Sequence, residues 1–122
     1  MFSIIIPTFN NLDYLRICID SIKKNSIFEH EIILHVNDGS DGTLNYVKNN
    51  RYIYTHSKNN VGLCTAVNLA AKKSTTNYII YAHDDMYFCP GWDVVFKNEI
   101  DNIKGNLYLI SGTMIEPNSG HL

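Results

Sequence analysis

The sequence has no basic excess. Ten lysines and arginines against 12 aspartates and glutamates leave a formal net charge of −2. That balance argues against a protein that grips nucleic-acid phosphates through a positive face. No apolar run approaches the ~18–20 residues of a membrane span. The N-terminus has neither the basic region nor the apolar stretch of a secretory signal. Cysteine is sparse: Cys18, Cys64 and Cys89 are an odd set without metal-ligand spacing, the pattern of reduced thiols in a reducing, cytoplasmic compartment. Internal repeats, low-complexity tracts and linkers are also missing. What is present is the composition of a globular protein, 45% hydrophobic and 18% charged. A chain of 122 residues fits one domain, residues 1–122, and can bury roughly 65–70% of its unfolded surface without disulfides or a structural metal.

Strand and helix patterns alternate along the chain. Phe2 to Pro7 is an apolar, β-branched run expected to form a buried strand. Asn10 and Asn11 stand where a cap belongs for a helix from Leu12, whose apolar positions Leu15, Ile19 and Ile22 recur at helical spacing up to Asn25. Glu31–Asn37 reads as a second strand, with a short helix over 41–49 behind it. Tyr52–His56 is a third strand, followed by a helix over 61–73 with Leu63, Val67 and Ala70 inward. Asn77–Ala82 is a fourth strand. Pro90 and Gly91 open a helix with Trp92, Val95, Phe96, Ile100 and Ile103 inward. Leu107–Ile115 reads as a fifth strand and residues 116–122 as loop. Strands separated by helices imply right-handed crossovers, hence an α/β fold with a mostly parallel sheet and flanking helices.

In such sheets ligands bind beyond the carboxyl ends of the strands. Three of those ends carry polar residues: Pro7-Thr8-Phe9-Asn10, Asn37-Asp38 and His83-Asp84-Asp85. The first turn has no glycine, which excludes a Rossmann dinucleotide loop and a Walker A loop there. It also disfavours a sugar nucleotidyltransferase, which needs a Gly-rich, basic loop at that place. Asp84-Asp85 offers hard oxygen donors suited to Mg²⁺ or Mn²⁺ rather than Zn²⁺; the competing reading is a solvated turn before a helix. His83 reads either as a ligand or sugar contact or as a strand-end histidine bonded to backbone. Asp38 is either a ribose or base contact or a turn residue before Gly39. Phe9 is either core or a ring lying against a nucleobase.

Four segments, IIIPTFN at 4–10, VNDGSDGT at 36–43, NNVGLCTAVNLA at 59–70 and YIIYAHDDMYFCPGW at 78–92, in this order and spacing, resemble the inverting glycosyltransferases of family two, which have the GT-A fold. The resemblance covers residue 2 to about 115. It implies that Pro7, Thr8 and Phe9 line a nucleoside pocket, with Phe9 beside the base. It implies that Asp38 accepts a hydrogen bond from the base, typically uracil N3–H. Asp84 and Asp85 would form the D-x-D region, Asp85 as the ligand of Mn²⁺ or Mg²⁺ and Asp84 as the ribose or donor-sugar contact. The partner implied is a nucleotide-activated sugar, UDP-linked, whose sugar passes with inversion to a saccharide, lipid or protein acceptor.

Three positions depart from the family pattern. Asn37 and His83 stand where aspartates are common, and Val67 where many members carry an arginine. The family's domain also continues past this length, and its second half carries the acceptor site and an Asp or Glu general base. The chain therefore reads as a truncated, N-terminal nucleotide-binding half, with Glu116 the one acid near the end that could serve as base. A further expectation is self-association through the face that the second half would cover. The alternative function is a non-catalytic module that binds nucleotide sugar for a partner, or an inactive truncated product.

Overall fold

The computed structural model describes residues 1–115. Four strands form one parallel sheet in the order β3-β2-β1-β4: β1 is Ser3–Phe9, β2 Glu31–Asn37, β3 Ile53–Ser57 and β4 Ile79–Tyr81. The helices are α1 (Leu12–Asn25), α2 (Thr43–Asn49), α3 (Leu63–Ala71) and α4 (Trp92–Asn102). Registers Ile4↔Ile32 and Ile6↔Leu34 put the even-numbered residues of β1 and β2 on one face. There Phe2, Ile4, Ile6, Leu34 and Val36 pack with Leu15, Cys18, Ile19 and Ile22 of α1, Val47 of α2 and Trp92 of α4. The opposite face is smaller: Ile5 and Ile33 meet Ala70 of α3. Sheet and helices therefore form three layers, as period-two strands buried on both faces require. No helix among the described residues is long and apolar enough to cross a membrane.

β1 runs two residues past its predicted end, through Pro7. Ser3 and Ile5 bond toward β4: the Ser3 N–H donates to the Tyr78 carbonyl, and the Ile5 carbonyl accepts from Ala82 N–H. Alternation turns Pro7 to that same side, beyond the last paired residue of β4, so the missing proline N–H removes no ladder bond.

The predicted strand Leu107–Ile115 is not a strand. A strand exists only through bonds to a neighbour, and none pairs with this stretch among the described residues; Leu107 and Leu109 are 99% and 97% exposed. The outer edge of β4 is likewise unpaired among the described residues. Two inward assignments also change. Leu63 is 52% exposed because Ala66 and Ala70 form the buried stripe of α3. Val95 is 63% exposed, because α4 packs through Trp92, Phe96 and Ile100, one residue per turn on a single stripe. Glu116 lies outside the described residues.

The helix caps come from across the fold. Neither Asn10 nor Asn11 caps α1 with its side chain. Instead Asp41 accepts the Leu12 N–H (3.2 Å) and the Thr43 N–H (3.0 Å), so one carboxylate serves the starts of α1 and α2. Burial alone would raise the Asp41 pKa, but bonds from Thr43 and Leu12 hold it below the ordinary value.

His35, fully buried in β2, pairs Nδ1 with the Thr55 hydroxyl at 2.7 Å, while Nε2 has no partner among the described residues. Burial pushes its pKa down. A depressed histidine contributes stability above its unfolded pKa, about 6.5, and that stability is lost as pH falls through the lower folded value. Urea unfolding measured across about pH 7 to 5 should show stability falling with pH. His35→Gln should flatten part of that slope; an unchanged slope would refute the assignment.

Candidate functional site

The carboxyl ends of β1, β2 and β4 open on one cavity of about 350 Å³. From β1 it takes Pro7, Thr8 and Phe9, and from the following turn Asn10 and Asn11. Asn37 comes from β2, Asn60, Gly62 and Leu63 from the approach to α3, and His83 and Asp84 from the turn after β4. The parallel topology produces this convergence, since every strand ends at the same sheet edge.

Several of these side chains are held by hydrogen bonds. The Thr8 hydroxyl donates to Asp84 Oδ2 at 2.7 Å, tying the end of β1 to the turn after β4. Asn37, buried, accepts the Val61 N–H at 3.0 Å and donates to the Thr8 carbonyl at 3.5 Å. That amide pins the loop before α3 to the sheet. Cys18 donates its thiol proton to the His83 carbonyl at 3.5 Å. Burial, with Asp84 and Asp85 adding to it, pushes the Cys18 pKa up to about 12, so this thiol is an inert, protonated strut.

Asp38 lies beside the cavity rather than in its lining. Its Oδ2 accepts from Asn10 Nδ2 (2.9 Å) and the Ser40 hydroxyl (3.0 Å). Those two side chains are the main reason its pKa sits below the ordinary carboxylate value. Oδ1 makes no hydrogen bond to a described residue. The Asp38 carbonyl pairs with His56 Nε2 at 2.8 Å. Asn10 and Asp38 both have left-handed backbone, φ +47 and +57, an uncommon state for non-glycine residues that clusters at binding sites. Gly39 completes the turn: its φ is +83 and a Cβ there would lie 2.6 Å from Val36 Cγ1. Its N–H donates to Asn10 Oδ1 at 2.9 Å.

Phe9 is 51% exposed and lines the cavity, which removes it from the core. Asp85 is exposed, next to Asp84 but outside the lining. Among the described residues no three His, Cys, Asp or Glu side chains stand together as a ready-made metal site. The donor set fits a cation of another kind: Mg²⁺ and Mn²⁺ commonly take one or two carboxylates and complete their shell with water and substrate phosphate. Sequence reasoning placed Asn10 and Asn37 at the strand ends of interest but gave them no part in building the site, and it missed Asn60. Asparagine clusters at strand ends were the available signal.

A family model for glycosyl transferase family 2 matches residues 3–116, nearly the whole chain. The chain belongs to glycosyl transferase family 2. An uncharacterized glycosyltransferase of Rickettsia prowazekii is 39% identical over 92 residues, covering 70% of this chain and 28% of that protein. TarS of S. aureus, in complex with UDP, superposes with a TM-score of 0.73 at 23% identity, over 82% of this chain and 32% of that one. A mannosyltransferase of Pyrobaculum calidifontis, in complex with GDP-Man and Mn²⁺, gives a TM-score of 0.67 at 18% identity, over 77% and 30% of the two chains. This glycosyltransferase chain thus has the GT-A fold, and it spans less than a third of the length of each of these three relatives.

Proposed function

We propose that this family 2 chain binds the nucleotide of a UDP-linked sugar together with Mn²⁺ or Mg²⁺. The protein it serves would transfer that sugar, with inversion, to a saccharide, lipid or protein acceptor. The observation that carries the reading is the meeting of three strand ends at one cavity, with Asp38, Asp84 and Asp85 around it. The UDP complex of TarS and the GDP-Man and Mn²⁺ complex of the mannosyltransferase support it by likeness of fold.

In this reading the exposed ring of Phe9 offers a flat face for the base. Asp38, ionised and held by Asn10 and Ser40, accepts the uracil N3–H on its unbonded Oδ1. Asp84, oriented by Thr8, accepts from a ribose or sugar hydroxyl. Asp85 would hold the cation jointly with the diphosphate, where a divalent ion neutralises the charge that develops on a departing nucleoside diphosphate. The acceptor's proton needs a base, and the family resemblance places that Asp or Glu in the second half of the domain rather than in this cavity's lining.

Titration with UDP tests the site. Asp38→Ala should weaken UDP binding roughly 10–100-fold, the loss expected for a hydrogen bond to a charged group, with the unfolding midpoint unchanged. GDP should bind far more weakly than UDP to the parent chain. A variant that unfolds while keeping its affinity would make Asp38 a turn residue and overturn its role.

A further inference from the structure

We infer that His83 holds the diphosphate of the donor through a ring N–H, with Tyr81 as the residue that positions it. The inference rests on the nucleotide reading of the cavity and extends it to a residue that reading left without a role. A nucleoside diphosphate brings at least two negative charges, yet no lysine or arginine lines the cavity, and Asp84 contributes a carboxylate. Among the described residues, His83 is the one lining side chain with a basic nitrogen.

Its ring is already oriented. His83 Nε2 lies 3.1 Å from the Tyr81 hydroxyl, with the rings 5.0 Å apart at 52°. A phenol proton donated to Nε2 places the imidazole's own proton on Nδ1. Nδ1 has no hydrogen-bond partner among the described residues, so in that tautomer its N–H is available to a phosphate oxygen. The backbone beneath is fixed as well: the His83 carbonyl accepts from the Cys18 thiol and from Met86 N–H. Tyr81 can serve this way because β4 ends there, its side chain on the α3 face opposite Ile5 and its hydroxyl reaching past the sheet edge to the ring two residues on. A hydrogen bond from a fixed donor to a charged oxygen is among the stronger kinds.

The experiment is calorimetric titration of the full chain with uridine, UMP and UDP in EDTA, so that no cation substitutes for the ring. His83→Ala should lower UDP affinity roughly tenfold and leave uridine affinity unchanged. His83→Asn, whose amide N–H falls near the Nδ1 position, should restore most of it, and His83→Gln should not. Tyr81→Phe should cost about threefold for UDP and nothing for uridine. If His83→Ala binds UDP as the parent does, the cavity's amides hold the diphosphate and the inference is overturned while the nucleotide reading stands. If uridine and UDP weaken equally, His83 only shapes the cavity and the inference also falls. A parent chain that binds neither uridine nor UDP removes the nucleotide reading and this inference with it.

Discussion

UDP should bind the full chain on the order of 10–100-fold more tightly in Mn²⁺ than in EDTA, about 1.4–2.7 kcal/mol, and Asp85→Asn should remove most of that gain. The argument is one of charge. Asp85 is exposed and makes no hydrogen bond to the described residues through its carboxylate, whereas its neighbour Asp84 is committed to the Thr8 hydroxyl at 2.7 Å. A free carboxylate beside a diphosphate repels it until a divalent cation binds both. Asparagine keeps the shape and removes the charge. The variant should therefore bind UDP in EDTA at least as well as the parent, while losing the response to Mn²⁺. Asp84→Asn should differ, weakening UDP in both conditions, because its proposed role is a direct contact. Equal affinities with and without metal in the parent would sink the assignment of Asp85. Calorimetry reads all six affinities.

Asp93→Ala should destabilise the fold by about 3–5 kcal/mol, as three donors lose one charged acceptor whose hydrogen bonds are worth about 1.5–3 kcal/mol each and do not add fully. Asp93 opens α4 with a side chain that has no exposure, and its Oδ2 accepts three donors: Ile27 N–H and Phe28 N–H at 2.8 Å each, and His30 Nε2 at 3.0 Å. Those donors belong to the loop joining α1 to β2, so one carboxylate fastens α4 to that loop. His30 stacks on Phe2 and leans on Trp92. Without the carboxylate, two part-buried N–H groups and an imidazole lose their acceptor together. Burial alone would raise the Asp93 pKa; bonds from Phe28 N–H, His30 and Ile27 N–H outweigh it and hold the value below the ordinary carboxylate range. The sign follows: stability from this group is present above about pH 4 and is lost as pH falls through the lower folded pKa. His30, its pKa pushed down by burial, adds a loss that begins below about pH 6.5. Urea unfolding at pH 7 decides the matter, and a change under about 1 kcal/mol would show that the loop does not depend on Asp93.

Particular residues show what could be read in advance. The apolar run Phe2–Pro7 and the helical spacing of Leu15, Ile19 and Ile22 put β1 and α1 where the structure has them, because strand and helix periods are local properties of the chain. The polar ends of β1 and β2 and the His83-Asp84-Asp85 turn after β4 marked the cavity for the same reason: a parallel sheet brings all its strand ends to one edge. Asp93 was unreadable. In sequence it is one acid at a helix start, and nothing local says that residues 27, 28 and 30 will surround it.

The sequence by itself therefore determined the order of the eight elements from β1 to α4 and the parallel sheet through local periodicity, and the family through four segments in a fixed order and spacing. Tertiary structure alone decided the rest. It left Leu107–Ile115 unpaired, because a strand needs a neighbour and none lies beside it among the described residues. It gave the capping of α1 to Asp41 and turned Asn10 to Asp38 and Gly39, because hydrogen-bond partners are chosen by distance in space. It brought Phe9 out of the core to the cavity wall. It also set the Tyr81 hydroxyl against the His83 ring, since that contact depends on the course of the turn after β4 and not on the strand pattern.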